Sequence, residues 1–196
     1  MTEYRIARVT SPDWASIPSV SLTHTGWLPP CPISASAQLC HNDDTLFLRM
    51  EAVETEIRAT LSEPTDPVCE DSCLEFFFAP LADDSRYFNF EFNPLGNFYF
   101  GFGCEIPNRS RLLPLRSDQF DIRPFRTVTG WGITCQIPLT FLQLYVPGFS
   151  FSGAAHGNFY KCGDRTVVPH YLSWAKMSSQ TPNYHVRRDF ASLIFE

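Results

Sequence analysis

Two carboxylates, Glu75 and Glu91, stand in aromatic-rich runs at 73–78 (CLEFFF) and 87–93 (YFNFEFN), whose alternation reads as two β-strands. A third run, Phe98–Gly103, follows Asn93-Pro94-Leu95-Gly96, a turn with Pro second and Gly fourth as a type I turn favours. Successive strand side chains point to opposite faces, so Leu74, Phe76, Phe78, Phe88, Phe90, Phe92, Phe98, Phe100 and Phe102 share one side. Cys73, Glu75, Phe77, Asn89, Glu91, Asn93 and Tyr99 share the other. Carboxylates on one face of adjacent strands repel. Something must compensate: a cation, a basic side chain, or one shared proton at a raised pKa. Such a pair accepts hydrogen bonds from hydroxyl groups, with Asn93 as a bidentate amide beside it. Glycoside hydrolysis also uses two carboxylates, roughly 5–10 Å apart, but nothing here supplies the rest of an active site. The plainest alternative is a staggered register that leaves both acids to water or to arginines.

The run at 157–162 (GNFYKC) places Asn158, Tyr160 and Cys162 on one strand face and Phe159 and Lys161 on the other. Lys161 or Arg165 is the expected positive charge facing Glu91. Tyr184 and His185 lie in a loop with Pro182 and Asn183, where exposed aromatics tend to contact ligands. Tyr184, with Trp174, offers a stacking surface, although Tyr160 and Trp174 read equally as core aromatics. The five histidines lack the spacing of a zinc site. Asp43-Asp44, Glu70-Asp71 and Asp83-Asp84 are hard oxygen donors of the kind calcium takes, and also what turns carry by default. No nucleophile elbow, Ser-His-Asp order or phosphate loop is present.

The elements that position these groups are short. With 196 residues, 44% hydrophobic and 18% charged, residues 1–196 read as a single domain with a sizeable core. A net charge of −6 argues against nucleic acid. No run reaches the roughly 18 apolar residues of a membrane helix, and MTEYRIARV lacks the apolar stretch of a signal peptide. Seven cysteines without C-x2-C spacing suit free thiols in a reducing compartment. The expectation is a cytoplasmic protein as the sequence stands, or an extracytoplasmic one if a leader was removed.

Residues 4–9 read as an edge strand, and Trp14 and Trp27 as plugs at the bottom of the core. Leu28-Pro29-Pro30-Cys31-Pro32 is a stiff connector to a hairpin of Ser34–His41 and Thr45–Val53. Further strands are expected at 120–127, 130–137, 149–151, 157–162, 170–174 and 192–195, with a helix at 138–144 opened by proline. The segment 107–117, basic and leucine-containing, has no clear period. About ten short strands with few helices predict an all-β, antiparallel two-sheet β-sandwich with one or two short helices; a closed barrel is the alternative.

The order of motifs adds a resemblance. Asp71-Ser72-Cys73-Leu74-Glu75-Phe76-Phe77, then FNFEFNPLGN, a Trp131-Gly132-Ile133 strand ending in Ile137-Pro138, GNFYK, YLSW and a closing NYHVRRDFASLIFE resemble the family 9 carbohydrate-binding modules. Their stand-alone relatives in the DOMON-like superfamily are similar too, and the likeness runs from about Ile33 to Glu196. It implies a β-sandwich, non-catalytic sugar binding and often a structural calcium. Family members hold a sugar between two tryptophans, with a carboxylate, an arginine and amides on its hydroxyls. Here the first tryptophan's place falls near Cys69, the carboxylate matches Glu75, the arginine falls at Glu91, and the second aromatic falls at or beside Tyr184. The DOMON-like side of the resemblance raises haem binding through a Met and a His, with Met50 the strand methionine to consider. A protein-interaction module using the same polar face is a third class.

Overall fold

The computed structural model describes residues 2–114 and 116–196. The chain opens with β1 (Glu3–Arg8), the two-residue strands β2 (Val20–Ser21) and β3 (His24–Thr25), and the hairpin β4 (Ser34–His41) and β5 (Thr45–Val53). The central run gives β6 (Cys73–Ala79), β7 (Tyr87–Phe92) and β8 (Phe98–Gly103), followed by β9 (Arg109–Leu112). Then come β10 (Arg123–Arg126), β11 (Gly130–Pro138), the short helix α1 (Leu139–Gln143), β12 (Gly153–Cys162), β13 (Tyr171–Ser173) and β14 (Ala191–Phe195).

The fold is all-β, but its sheet is mixed and continuous rather than a separate antiparallel pair. The hydrogen-bonded path runs β10-β11-β5-β4-β1-β14-β12-β6-β7-β8-β9. The strand expected at an edge, β1, lies in the middle of that path. Its residues Glu3 to Ile6 pair parallel with β14, and Ala7 and Arg8 pair parallel with β4. Alternation within EYRIAR identifies a strand that buries Tyr4 and Ile6. It carries no information on the direction of its neighbours.

The phenylalanine wall lies inside the curl. Phe76 stacks on Phe78, Phe90 and Phe159, and one core cluster unites these rings with Leu39, Leu46, Leu48 and Met50 of the hairpin and Ile133 of β11. The two arms of the sheet therefore face each other across a shared interior. Trp14 is outside it, in a small satellite with Ile17, Cys40 and Phe47. Residues 149–151 form no strand; Phe149 and Phe151 pack against the core as loop side chains.

The two ends of the path explain the least legible segments. At one end is β9 (RSRL) and at the other β10 (RPFR), the latter preceded by a 3-10 turn at Ser117–Phe120. Charged side chains and proline are what an unpaired sheet edge carries to discourage pairing with another chain. Such strands lack the apolar alternation by which strands are recognised.

Candidate functional site

Strand register places the two carboxylates. Glu75 of β6 lies directly opposite Glu91 of β7, with Tyr160 of β12 on one flank and Tyr99 of β8 on the other. The face they occupy is not open. A second apolar cluster covers it, built from Val68, Phe77, Tyr87, Tyr160, Tyr184 and Phe190, with Trp27, Cys69 and Tyr99 at its margin. Glu75 and Glu91 keep 3% and 7% of their surface. Between the covering loops remains a cleft of about 190 Å³, lined by both acids, Trp27, Cys69, Cys162, Asp164, Tyr171, Tyr184 and His185. It passes over Cys69 and Glu91 into a second hollow of about 390 Å³ walled by Tyr99, Arg109 and Arg111.

Burial dominates the electrostatics, with repulsion from Glu91 adding to it at Glu75. Desolvation, then the charge of Glu91, pushes the Glu75 carboxyl well above the usual carboxylate range. The Cys162 thiol opposes this by donating to Glu75 Oε1 at 3.0 Å. Burial raises Glu91 to about 7, held down by the Asn89 amide, which donates to Oε1 at 2.6 Å, and by the charges of Arg109 and Arg111. The compensation that Glu91 requires therefore comes from two arginines of β9. Arg109 donates to Asn89 Oδ1 and lies 4.3 Å over the Tyr87 ring. Arg111 lies 4.6 Å over Tyr99 and donates to the carbonyls of Pro64 and Thr65. Gly101 stands between Asn89 and Arg111 in the register, and a Cβ there would strike Asn89 Oδ1. Glycine keeps room for the relay from Arg109 through Asn89 to Glu91. The signal in the sequence was the alternating arginines of R-S-R, unread because an edge strand has no hydrophobic period.

The remaining expected site residues divide. Tyr184 and His185 line the cleft. Tyr184 is stacked on Tyr160 with centroids 4.1 Å apart and donates its hydroxyl to Lys161 O at 3.1 Å. Tyr160 is fully buried beneath it, a support rather than a surface. Burial, then Arg109, lowers His185 to about 3; its Nδ1 lies 3.0 Å from the Tyr87 hydroxyl. Asn93 is fully buried and its amide is spent within the fold. It donates to Leu61 O and Asp71 Oδ2 and accepts from the N–H groups of Leu95 and Asn97, so it cannot serve as a bidentate ligand group. Trp174 belongs to the main core, against Tyr4 and Phe159. Arg165 pairs with Glu70 at 3.1 Å rather than with Glu91.

Trp27, expected to plug the core, is the residue that sequence reasoning missed. It lines the cleft at φ 57°, a left-handed backbone rare for a bulky residue. Its Nε1 donates to Ser179 O at 2.8 Å and its ring meets Tyr171 and Tyr184. A tryptophan in an irregular, proline-flanked stretch, with no period to bury it, was the available signal.

Lys161 faces the other way. Its ammonium is fully buried 3.1 Å from Glu54 Oε2 and 2.6 Å from His170 Nε2. Trp131 Nε1 and Ser72 Oγ also donate to Glu54, so the carboxylate is saturated. A lysine can only donate, so His170 Nε2 accepts and Nδ1 carries the proton to Val168 O at 2.7 Å. Burial and then the Lys161 charge lower His170 to about 4. Both His170 and His185 are thus depressed below the usual 6.5, and the sign of the effect follows: the unfolded chain binds more protons between that value and the folded ones. The raised carboxyls of Glu75 and Glu91 act the opposite way in the same window, so the His170 share is read as a difference: as pH drops from about 6.5 towards 4, the melting temperature of the wild type should fall relative to that of His170→Asn. An acid limb of equal steepness in the variant would show that His170 does not contribute.

The acids considered for calcium do not converge: Asp43, Glu70, Asp71 and Asp84 each face an arginine. Among the described residues no three carboxylates come within ligating reach of one another. Met50, the haem candidate, is fully buried in the main core. No helix is long and apolar enough to cross a membrane.

A family model described as carbohydrate-binding family 9 matches residues 9–195. A Bacteroides uniformis ATCC 8492 protein, described as a candidate carbohydrate-binding protein, is similar in structure at TM-score 0.86 and 26% identity, with 99% of each chain covered. A family 9 module from Caldicellulosiruptor kristjanssonii solved with cellotriose superposes at TM-score 0.69 and 13% identity, covering 98% of this chain and 94% of that one. One from the same organism solved with glucose gives 0.67 and 10%, covering 100% and 96%. At these two identities the likeness concerns the fold. No curated protein matches the sequence.

Proposed function

The chain belongs to carbohydrate-binding family 9, and from that premise we propose that it binds a carbohydrate, without transforming it, in the cleft over Glu75 and Glu91. The observation that carries the placement is the meeting of two carboxylates with aromatic walls in one cleft, where Trp27 and Tyr184 stand beside Glu75, Glu91 and His185. A sugar ring needs both chemistries. Its hydroxyls pair with carboxylates and charged donors, while its apolar C–H face lies on an aromatic ring. Glu91 accepts from hydroxyls, and Arg109 and Arg111 each retain an Nε–H without a hydrogen-bond acceptor. Trp27 takes the stacking place that the family fills with a tryptophan near Cys69. Tyr184, braced by Tyr160, provides the second aromatic.

The arms of the curled sheet share one core, which supports reading residues 1–196 as a single module and its architecture as two layers joined along β1. All seven cysteines are free, which supports a reducing compartment.

Titration calorimetry against a panel of mono- and oligosaccharides, glucose and cellotriose included, tests the reading. One saccharide class should bind; Glu91→Gln should weaken it by roughly tenfold or more, since hydrogen bonds to charged groups contribute about 1.5–3 kcal/mol, and Trp27→Ala should weaken it through loss of the apolar stacking surface. Folded variants that both bind like wild type would move the site elsewhere. A panel in which nothing binds would remove the function.

A further inference from the structure

We propose that Cys73, Cys162 and Glu75 form a site for a thiophilic divalent cation of the zinc type in the floor of the cleft. Cys73 and Glu75 are two residues apart on β6 and share a face, while Cys162 of β12 is the register partner of Cys73. Their three ligand atoms lie within 4.8 Å of one another, and all three side chains are buried. Cys162 Sγ is already 3.0 Å from Glu75 Oε1. Bonds of about 2.3 Å to sulfur and 2.1 Å to oxygen at tetrahedral angles set ligand atoms roughly 3.5–3.8 Å apart. Closing the triad thus takes a shift of about 1 Å, within the reach of side-chain rotation.

The surroundings favour a cation. Glu91 has Arg109 and Arg111 nearby, and Lys161 serves Glu54 on the opposite face. Among the described residues no basic side chain forms an ion pair with Glu75. The donor set selects the metal: two thiolates with one carboxylate suit zinc, whereas calcium and magnesium take oxygen alone. Three protein ligands leave a fourth position, as in zinc centres that keep an exchangeable site. Glu75 and Cys162 line the cleft, which provides the entry path.

The full chain is titrated with Zn²⁺ or Co²⁺ alone, in competition with a chromophoric chelator. One ion per chain should bind, and cobalt should give a near-ultraviolet thiolate charge-transfer band. The band should vanish in Cys73→Ser and Cys162→Ser and survive in Cys40→Ser and Cys135→Ser. Glu75→Gln should keep the band and weaken affinity by more than the roughly 10–100-fold that loss of an outer partner costs. Should a serine variant fail to fold, Zn²⁺ must instead slow alkylation of Cys73 and Cys162 in the wild-type protein, read by peptide mass spectrometry. Absence of stoichiometric binding, a band that persists in both serine variants, unprotected thiols, or a chain isolated two hydrogens lighter through a Cys73–Cys162 disulfide would each overturn the site. No saccharide enters this test, so its outcome is separate from that of the sugar titration.

Discussion

Phe90→Ala should destabilise the protein by about 3–5 kcal/mol, a loss of roughly 2–4 °C in melting temperature for each kcal/mol in a chain of this size. Phe90 is fully buried near the middle of the wall. It is stacked on Phe76 and Phe88 and meets Phe100 edge-on at 5.0 Å. Truncation removes the transfer free energy of the ring and leaves a void that flanking rings cannot close without leaving their own rotamers. Phe98, half-buried at the entrance to β8, provides the contrast. Its alanine variant should lose less than half as much, because solvent or neighbouring side chains can occupy the space. Equal melting points for wild type and Phe90→Ala would mean that the interior does not lie between these strands.

The second large effect is expected from the charge cluster on the other side of β12. Lys161→Met preserves most of the side-chain volume but leaves the Glu54 carboxyl buried without its cation. Removing one partner of a buried pair costs about 3–5 kcal/mol, whereas replacing both with neutral groups is often nearly neutral. The double variant Glu54→Gln, Lys161→Met should therefore recover much of the stability lost in the single one. Chemical denaturation of the wild type, both single variants and the double variant closes the cycle. Losses that merely add would show that the two charges are not coupled, despite their 3.1 Å separation.

The parts legible in the sequence were those governed by a strict period. The hairpin Ser34–His41 and Thr45–Val53, the wall of Phe76, Phe90 and Phe100, and the shared face of Glu75 and Glu91 follow from alternation plus turn chemistry, whereas the register that sets the two acids directly opposite does not. Alternation also misled. It made the Glu75 face polar and therefore open, although Phe77 and Tyr160 on that face invite a second cover, which Val68, Tyr184 and Phe190 provide. Asn93 reads as a ligand group because its side chain is versatile, but the turn it sits in takes its carbonyl, and Leu61 and Asp71 take its amide N–H groups. Lys161 was given to the wrong carboxylate because its strand face was known and the position of Glu54, beyond the end of β5, was not. Trp27, Arg109 and Arg111 were missed for one reason: loops and sheet edges place residues by tertiary contact, which leaves no local pattern.

Lying between β14 and β4, β1 depends for its first half on residues made almost two hundred positions later. During synthesis it must wait beside β4, with its outer edge unpaired, until Ala191–Phe195 leaves the ribosome. Strand β12 waits in the same way, since Gly153 to Gly157 also pair with β14. A chain cut short before Ala191 would carry two open edges at once, one on each arm. Exposed strand edges recruit other chains, so such fragments should aggregate rather than persist as a loosened monomer.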